Sequence, residues 1–168
     1  ATFGLMGFYP MEDAYTLNQP GTKFPSHTDR KLTPGVDLTT GSLGQGVSTA
    51  TGAALGNKID GRDSCVYCVV GDGEADEGQV WEGFHFAYAH KLDNIIYFID
   101  NNGYQLDGAT DDILAHGDMA KKVAGFGLHT QEIDGHDVTA IYEAIQKAKE
   151  TKGVPSCIVL NTSKGKGA

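Results

Sequence analysis

Two stretches decide the fold: Cys65-Val66-Tyr67-Cys68-Val69-Val70-Gly71-Asp72-Gly73-Glu74 and Asn94-Ile95-Ile96-Tyr97-Phe98-Ile99-Asp100-Asn101-Asn102-Gly103-Tyr104. Each is a short apolar run, rich in β-branched and aromatic residues, that ends in a turn built from Gly with Asp or Asn. Neither alternates apolar with polar, so both read as strands of a parallel sheet buried on both faces. Between them, from about Ala75 to Lys91, runs a helical pattern with Val80, Trp81, Phe84, Ala87 and Tyr88 on one face. Strand, helix and strand make one βαβ unit. Parallel neighbours point the same way, so Asp72 and Asn102, thirty residues apart, are expected side by side at the carboxyl rim. In open α/β sheets that rim is where ligands bind.

The rest of the chain extends the same architecture. A helix is expected near Asp118–Gly125, a strand at His129–Ile133, an amphipathic helix over Val138–Ala148 and a buried strand at Cys157–Leu160. Upstream, a short helix near Met11–Leu17 precedes a Gly- and Pro-punctuated loop over residues 20–43, too long for a mere connection and so read as functional. A helix from about Gly44 to Asn57 follows, with Ser42, Gly46, Ala50 and Ala54 at four-residue spacing. Glycine inside a helix costs about 1 kcal/mol against alanine, so tight packing or a ligand at the helix start is expected to offset Gly44, Gly46, Gly52 and Gly56. The order of elements predicts an α/β fold, doubly wound, with a mostly parallel sheet and helices on both faces. At 168 residues and 40% hydrophobic content the chain suits a single domain with one core.

The rim residues suggest a chemistry. Asp72 offers a carboxylate, Asn102 an amide oxygen, and the turn after Asn102 can aim a backbone carbonyl inward. These are hard oxygen donors suited to magnesium, which completes its shell with water and ligand phosphates. Gly73 has no Cβ to hinder a diphosphate, and the helix that follows turns its positive end to the same spot. The residues therefore read as a magnesium-bridged diphosphate site.

Composition excludes other classes. A net charge of −9 argues against nucleic acid, which demands a basic footprint. No stretch reaches the roughly 18 apolar residues of a membrane span. Without a secretory signal, and with an odd count of three cysteines, the expected address is the cytoplasm. Cys65 and Cys68 form a C-x-x-C, but no second pair stands at a zinc spacing and both fall in the predicted strand, so they read as structural.

Gly71-Asp72-Gly73, followed after 27 residues by Asn101-Asn102, resembles the thiamine diphosphate and magnesium signature of thiamine-dependent enzymes. Thr33-Pro34-Gly35-Val36-Asp37-Leu38-Thr39-Thr40-Gly41-Ser42-Leu43-Gly44-Gln45-Gly46 looks like the transketolase loop that lies against the cofactor's pyrimidine. Asp134-Gly135-His136-Asp137, followed by Lys164-Gly165-Lys166-Gly167, is also similar to transketolases. The likeness spans nearly the whole chain, in order, and implies a thiamine diphosphate-binding fold.

The resemblance implies that Asp72, Asn102 and the Tyr104 carbonyl hold magnesium, with Gly73 beside the diphosphate. It implies that Gly41 and Leu43 present backbone groups to the aminopyrimidine. Glu77 matches a glutamate that meets the partner subunit's catalytic glutamate, and His27 a histidine that contacts the donor sugar, although Ser26 and Thr28 replace that histidine's usual Gly and Pro neighbours. The implied reaction moves a two-carbon ketol unit between sugar phosphates, in an oligomer of subunits paired with a chain that carries the pyrimidine-binding domain.

The family's Gly-His-Pro-Gly-Gly stretch and its histidine beyond the Lys-Gly-Lys-Gly motif have no match here. The expectation is thus a diphosphate and magnesium domain trimmed at both ends, without pyrimidine-binding and C-terminal domains. Three other readings compete. A 2-oxo acid dehydrogenase component or a 1-deoxyxylulose phosphate synthase would share the Gly-Asp-Gly…Asn signature, though the Leu38–Gly46 loop favours transketolase. A non-catalytic scaffold subunit would be expected to lose Asp72 and Asn102, and a nicotinamide-binding domain would need the G-x-G-x-x-G spacing that Gly71-Asp72-Gly73 lacks.

Overall fold

The computed structural model describes residues 1–167, which divide into two compact units, Ala1–Gly46 and the residues from Val47 onward. In the first unit, α1 (Thr2–Leu5) is followed by a 3₁₀ helix, Met11–Thr16, where a short helix was expected. Its bonds run i to i+3: Leu17 N–H donates to the Ala14 carbonyl at 3.2 Å, and the Thr16 hydroxyl donates to the Asp13 carbonyl at 2.8 Å. Residues 17–44 form turns held by side chains, among them Asn18, whose Oδ1 accepts from Ser26 N–H at 2.7 Å, and Thr33, whose hydroxyl donates to the Lys23 carbonyl at 2.6 Å. The Tyr9 and Phe24 rings pack 4.6 Å apart and supply its apolar centre.

The division falls in the first turn of α2 (Gln45–Ile59). The second unit then runs β1 (Val66–Gly71), a 3₁₀ turn (Glu74–Asp76), α3 (Gly78–Ala89) and β2 (Ile95–Asn101). A two-stranded hairpin, β3 (Tyr104–Gln105) and β4 (Gly108–Ala109), leads into α4 (Thr110–Leu114) and α5 (Met119–Gly125). Strand β5 (His129–Asp134), α6 (Val138–Glu150) and β6 (Ser156–Asn161) complete the chain's regular elements. The four long strands are all parallel, in the order β1-β2-β6-β5. This is the predicted doubly wound α/β architecture.

Helices cover both faces. On one, Cys68, Val70, Ile95, Tyr97, Ile99, Cys157 and Val159 meet the buried residues of α2, α3 and α5. On the other, Ile96, Phe98 and Ile158 meet Ala144 and Ala148 of α6. Tyr97 lies at the centre of the first layer, flanked in register by Cys68 and Cys157 and bonded through its hydroxyl to Thr51 at 2.6 Å. Phe84, fully buried, packs its ring 4.7 Å from that of Tyr97.

Two expectations change here. Strand β2 is buried on both faces as predicted, but β1 is an edge strand: Tyr67 is 48% and Val69 70% exposed, and the core shared with α6 takes its buried strand residues from β2 and β6. The close approach expected at the glycines of α2 lies on the other helix. A Cβ at Gly52 or Gly56 would meet nothing within 4 Å, whereas one at Gly83 of α3 would come within 2.7 Å of Val47 Cγ1.

The cysteines behave as structural groups. All three are unpaired, Cys68 and Cys157 are buried and Cys65 lies just outside β1. Burial pushes the Cys68 thiol up to about 12 and raises Cys157 further, with Glu74 adding to the first and Cys68 to the second. Their thiolates are scarce at pH 8, so in the native chain Ellman's reagent is expected to modify only Cys65, and all three cysteines after denaturation. Replacing Phe84 by Ala empties the centre of the larger core. It is expected to lower stability by about 3–5 kcal/mol in urea denaturation.

Candidate functional site

The parallel register of β1 and β2 pairs Gly71 with Asp100, which sets the two following turns next to each other. Asp72 is 1% exposed. Its main-chain N–H donates to the Asp100 carbonyl at 3.1 Å, continuing the ladder one step past the strand. Its side chain then ties both turns together. Asp72 Oδ1 accepts from Gly73 N–H at 2.9 Å and Oδ2 from Gly103 N–H at 2.6 Å. The rim juxtaposition expected from the sequence is therefore present, made through the backbone of the Asn102-Gly103 turn.

Asn102 is held at both ends. Its Nδ2 donates to Asp100 Oδ2 at 3.1 Å, and its Oδ1 accepts from Tyr104 N–H at 3.0 Å, an Asx-type turn that the positive φ of 74° at Gly103 permits. Tyr104 begins β3, with its side chain half exposed.

Gly73 does not leave open space for a ligand. A Cβ there would come within 2.5 Å of Gln105 Cβ, so the missing side chain accommodates the β3–β4 hairpin. The buried Gln105 Oε1 beside it has no hydrogen-bond partner.

The helix after Gly73 also differs from expectation. The rim is followed by the 3₁₀ turn Glu74–Asp76, and Glu77 is an extended, exposed residue that caps α3 by backbone position alone. The cause is local: Trp81 Nε1 donates to the Ala75 carbonyl at 2.7 Å, occupying the acceptor a continuous helix would offer residue 79. The positive end of α3 accordingly begins at Gly78, beyond the turn that faces Asp72. Trp81 is thereby a packing residue, its ring 5.2 Å from that of Phe126.

In the first unit the structure brings together two predicted residues from separate stretches. A Cβ on Gly41, whose φ is 139°, would sit 2.5 Å from the His27 ring, so the imidazole lies against the glycine backbone. Thr28 and Thr40 join the flanking segments, through Thr40 N–H to the Thr28 carbonyl at 3.2 Å and through their hydroxyls at 3.3 Å. Leu43 is 56% exposed.

The rim suits a small hard cation. No cluster of three or more His, Cys, Asp and Glu able to hold a metal exists among the described residues, so any ion must lean on neutral oxygens. Asp72 is a buried carboxylate with no ion pair among the described residues. A buried charge without a counter-charge is costly, and a cation beside Asp72 relieves that cost. With the amide oxygen of Asn102 in the adjoining turn, the oxygen donors at this rim fit magnesium better than zinc or iron.

A family model described as the thiamine diphosphate binding domain of transketolase matches residues 1–168. The chain belongs to the transketolase family. A 6-deoxy-6-sulfo-D-fructose transketolase subunit from a Clostridium strain is 48% identical over all 168 residues, and these make up 61% of that relative. An apulose-4-phosphate transketolase subunit from Actinobacillus succinogenes is 37% identical over 96% of the chain and 58% of the relative. This family member thus spans about three fifths of the length of those curated relatives.

Solved structures agree with the fold. Transketolase from Leishmania mexicana superposes with a TM-score of 0.85 at 31% identity, over 94% of this chain and 26% of the other. A Pichia stipitis transketolase complex with xylulose 5-phosphate gives 0.83 at 33% identity, over 90% of this chain and 24% of the other. The transketolase-family fold is thereby established, and the matching family model is that of its thiamine diphosphate binding domain. No helix among the described residues is long and apolar enough to cross a membrane.

Sequence reasoning passed over Asp100, Gln105 and Thr162. Asp100 looked like the last residue of a strand, and its carboxylate proves to be the partner of both Asn102 and the Thr162 hydroxyl. Its one signal was an acid closing an otherwise apolar run. Asp72→Ala strips the acceptors from Gly73 and Gly103, and each bared donor costs about 1–3 kcal/mol. The variant is expected to lose that stability in chemical denaturation even with no metal or cofactor present, whereas an unchanged midpoint would mean that water replaces the carboxylate.

Proposed function

We propose that this chain is the diphosphate-binding half of a magnesium- and thiamine diphosphate-dependent transketolase, which moves a two-carbon ketol unit between sugars ending in an anionic group. The observation that carries the reading is Asp72, a buried carboxylate without an ion pair at the carboxyl rim of a transketolase-family sheet. Two relatives support the substrate class by name: one acts on a 6-sulfo-fructose, the other on apulose 4-phosphate, and both sugars end in a strong anion. Both are also named as subunits, which favours a separate partner carrying the pyrimidine-binding domain and an oligomer of paired chains. Three unpaired cysteines suit a cytoplasmic enzyme.

In this reading Asp72, Asn102 and the Tyr104 carbonyl hold the magnesium ion. Asp72 and Asn102 are already locked by backbone donors, so little ordering is required when the ion binds. Bound thiamine diphosphate would supply the nucleophilic carbon and the electron sink for ketol transfer. Gly73 keeps the hairpin residue Gln105 close to the metal turn. Glu77, exposed and unused in capping, is free to meet the partner's glutamate. Gly41 and Leu43 offer backbone groups to the aminopyrimidine, and His27, seated on Gly41, contacts the donor sugar. Each of these residues binds or orients; none supplies the proton exchange, which falls to the partner.

The test is calorimetric titration of thiamine diphosphate into the chain, alone and with a candidate pyrimidine-domain subunit. Saturable binding that is abolished by EDTA and weakened by Asp72→Asn is expected. Binding indifferent to both would sink the metal assignment. The paired subunits should then transfer ketol units from 6-deoxy-6-sulfofructose, xylulose 5-phosphate or fructose 6-phosphate. Turnover of pyruvate instead would favour a 2-oxo acid or deoxyxylulose phosphate enzyme, and cofactor binding with no turnover a scaffold.

A further inference from the structure

The stretch Asp134-Gly135-His136-Asp137 has no part in the site so far, yet hydrogen bonds connect it to Asn102. Strands β2, β6 and β5 end level with one another, with Asn101, Asn161 and Asp134 in register. Just past β6, Thr162 N–H donates to the Asn101 carbonyl at 3.2 Å, and the Thr162 hydroxyl donates to Asp100 Oδ1. The other carboxylate oxygen of Asp100 receives Asn102 Nδ2.

This arrangement decides which way the Asn102 amide faces. The oxygen and nitrogen of an amide are nearly isosteric, so only their partners distinguish them. A carboxylate accepts and cannot donate, so the end of Asn102 that meets Asp100 is the NH₂. Tyr104 N–H donates and cannot accept, so the end that meets it is the oxygen. With Thr162 donating to Oδ1, the Oδ2 atom of Asp100 is left to Asn102.

Thr162 is seated in turn by the Asp-Gly-His-Asp stretch. Gly135 N–H donates to the Asn161 carbonyl at 2.9 Å, and a Cβ at Gly135 would collide with Thr162 Cγ2 and reach within 2.9 Å of Leu160 Cβ. His136 Nε2 accepts from Ser163 N–H at 2.8 Å, and Asp134 Oδ1 accepts from His136 N–H at 2.8 Å. The turn grips residues 161–163 from both sides of the threonine.

We infer that Asp100 is a positioning residue: seated by Thr162 and the Gly135-His136 turn, it keys the Asn102 amide so that its oxygen is presented beside Tyr104 for the metal. The metal consequence rests on the function proposed above; the keying itself does not. Groups that orient a ligand are worth roughly 10–100-fold in metal affinity.

The experiment compares Asp100→Ala, Thr162→Val and Thr162→Ser with the parent chain by two readouts. The first, without metal or cofactor, is the Asn102 side-chain amide pair in ¹H–¹⁵N spectra, assigned through Asn102→Asp. The pair is expected to be shifted and slow to exchange in the parent and in Thr162→Ser, and to collapse to the free-amide position in the other two. The second is Mn²⁺ binding followed by electron paramagnetic resonance with thiamine diphosphate, in the presence of the partner subunit.

Mn²⁺ affinity is expected to fall roughly 10–100-fold in Asp100→Ala, to fall in Thr162→Val and to recover in Thr162→Ser. An Asn102 amide that is free in the parent, or Mn²⁺ affinity unchanged in Asp100→Ala, overturns the inference. A keyed amide in a parent that binds no Mn²⁺ overturns the metal reading and leaves the keying standing.

Discussion

A buried carboxylate joins the ends of two parallel strands, and the rest of the rim is arranged around it. Asp72 commits both oxygens to main-chain donors of different turns, Gly73 on its own and Gly103 on the neighbour's. Because β1 and β2 are in parallel register, these donors lie within reach without any distortion of the sheet. The cost of burying the charge is met only in part by two N–H groups. That residual cost is what the proposed magnesium ion would offset, and the bonds that hold the two turns would pre-order the oxygens proposed as its ligands.

The sheet beneath is built to keep the rim still. Its larger face is closed by α2, α3 and α5, with the aromatic pair Phe84 and Tyr97 at the centre and the Thr51 hydroxyl satisfying the buried phenol. Burial raises that phenol well above its ordinary value, so it stays a neutral hydrogen-bonding group at any physiological pH. The smaller face is closed by α6, whose start is capped by the Asp137 carboxylate accepting from Thr139 and Ala140 N–H. One motif therefore does two jobs: Asp137 starts a helix, while Gly135 and His136 grip the end of β6.

Much of the second unit was legible in the sequence because buried parallel strands leave a plain signature. The run Ile95–Ile99 has no polar interruption and is buried throughout, the equally apolar Val66–Val70 is a strand although an edge one, and the helix over Val138–Glu150 repeats its apolar residues at helical spacing. Legibility stopped where a side chain competed for a backbone group. The break between Asp76 and Gly78 exists because the Trp81 indole takes the Ala75 carbonyl, a contact between residues six apart that no local propensity reports. Gly73 and Gly83 were glycines for reasons of tertiary contact, with Gln105 and Val47, which a one-dimensional reading assigns to a ligand or misses.

The sequence by itself determined the parallel α/β fold, the placing of Asp72 and Asn102 at one rim, and the family, since burial, strand polarity and short motifs are written in residue order. The tertiary structure alone decided that β1 is an edge, that His27 rests on Gly41, and which way Asn102 faces. Those outcomes depend on which groups meet across the ends of separate strands and loops. Asp100, Thr162 and Gly135 are far apart along the chain, and only the register of β2, β6 and β5 gives them common purpose.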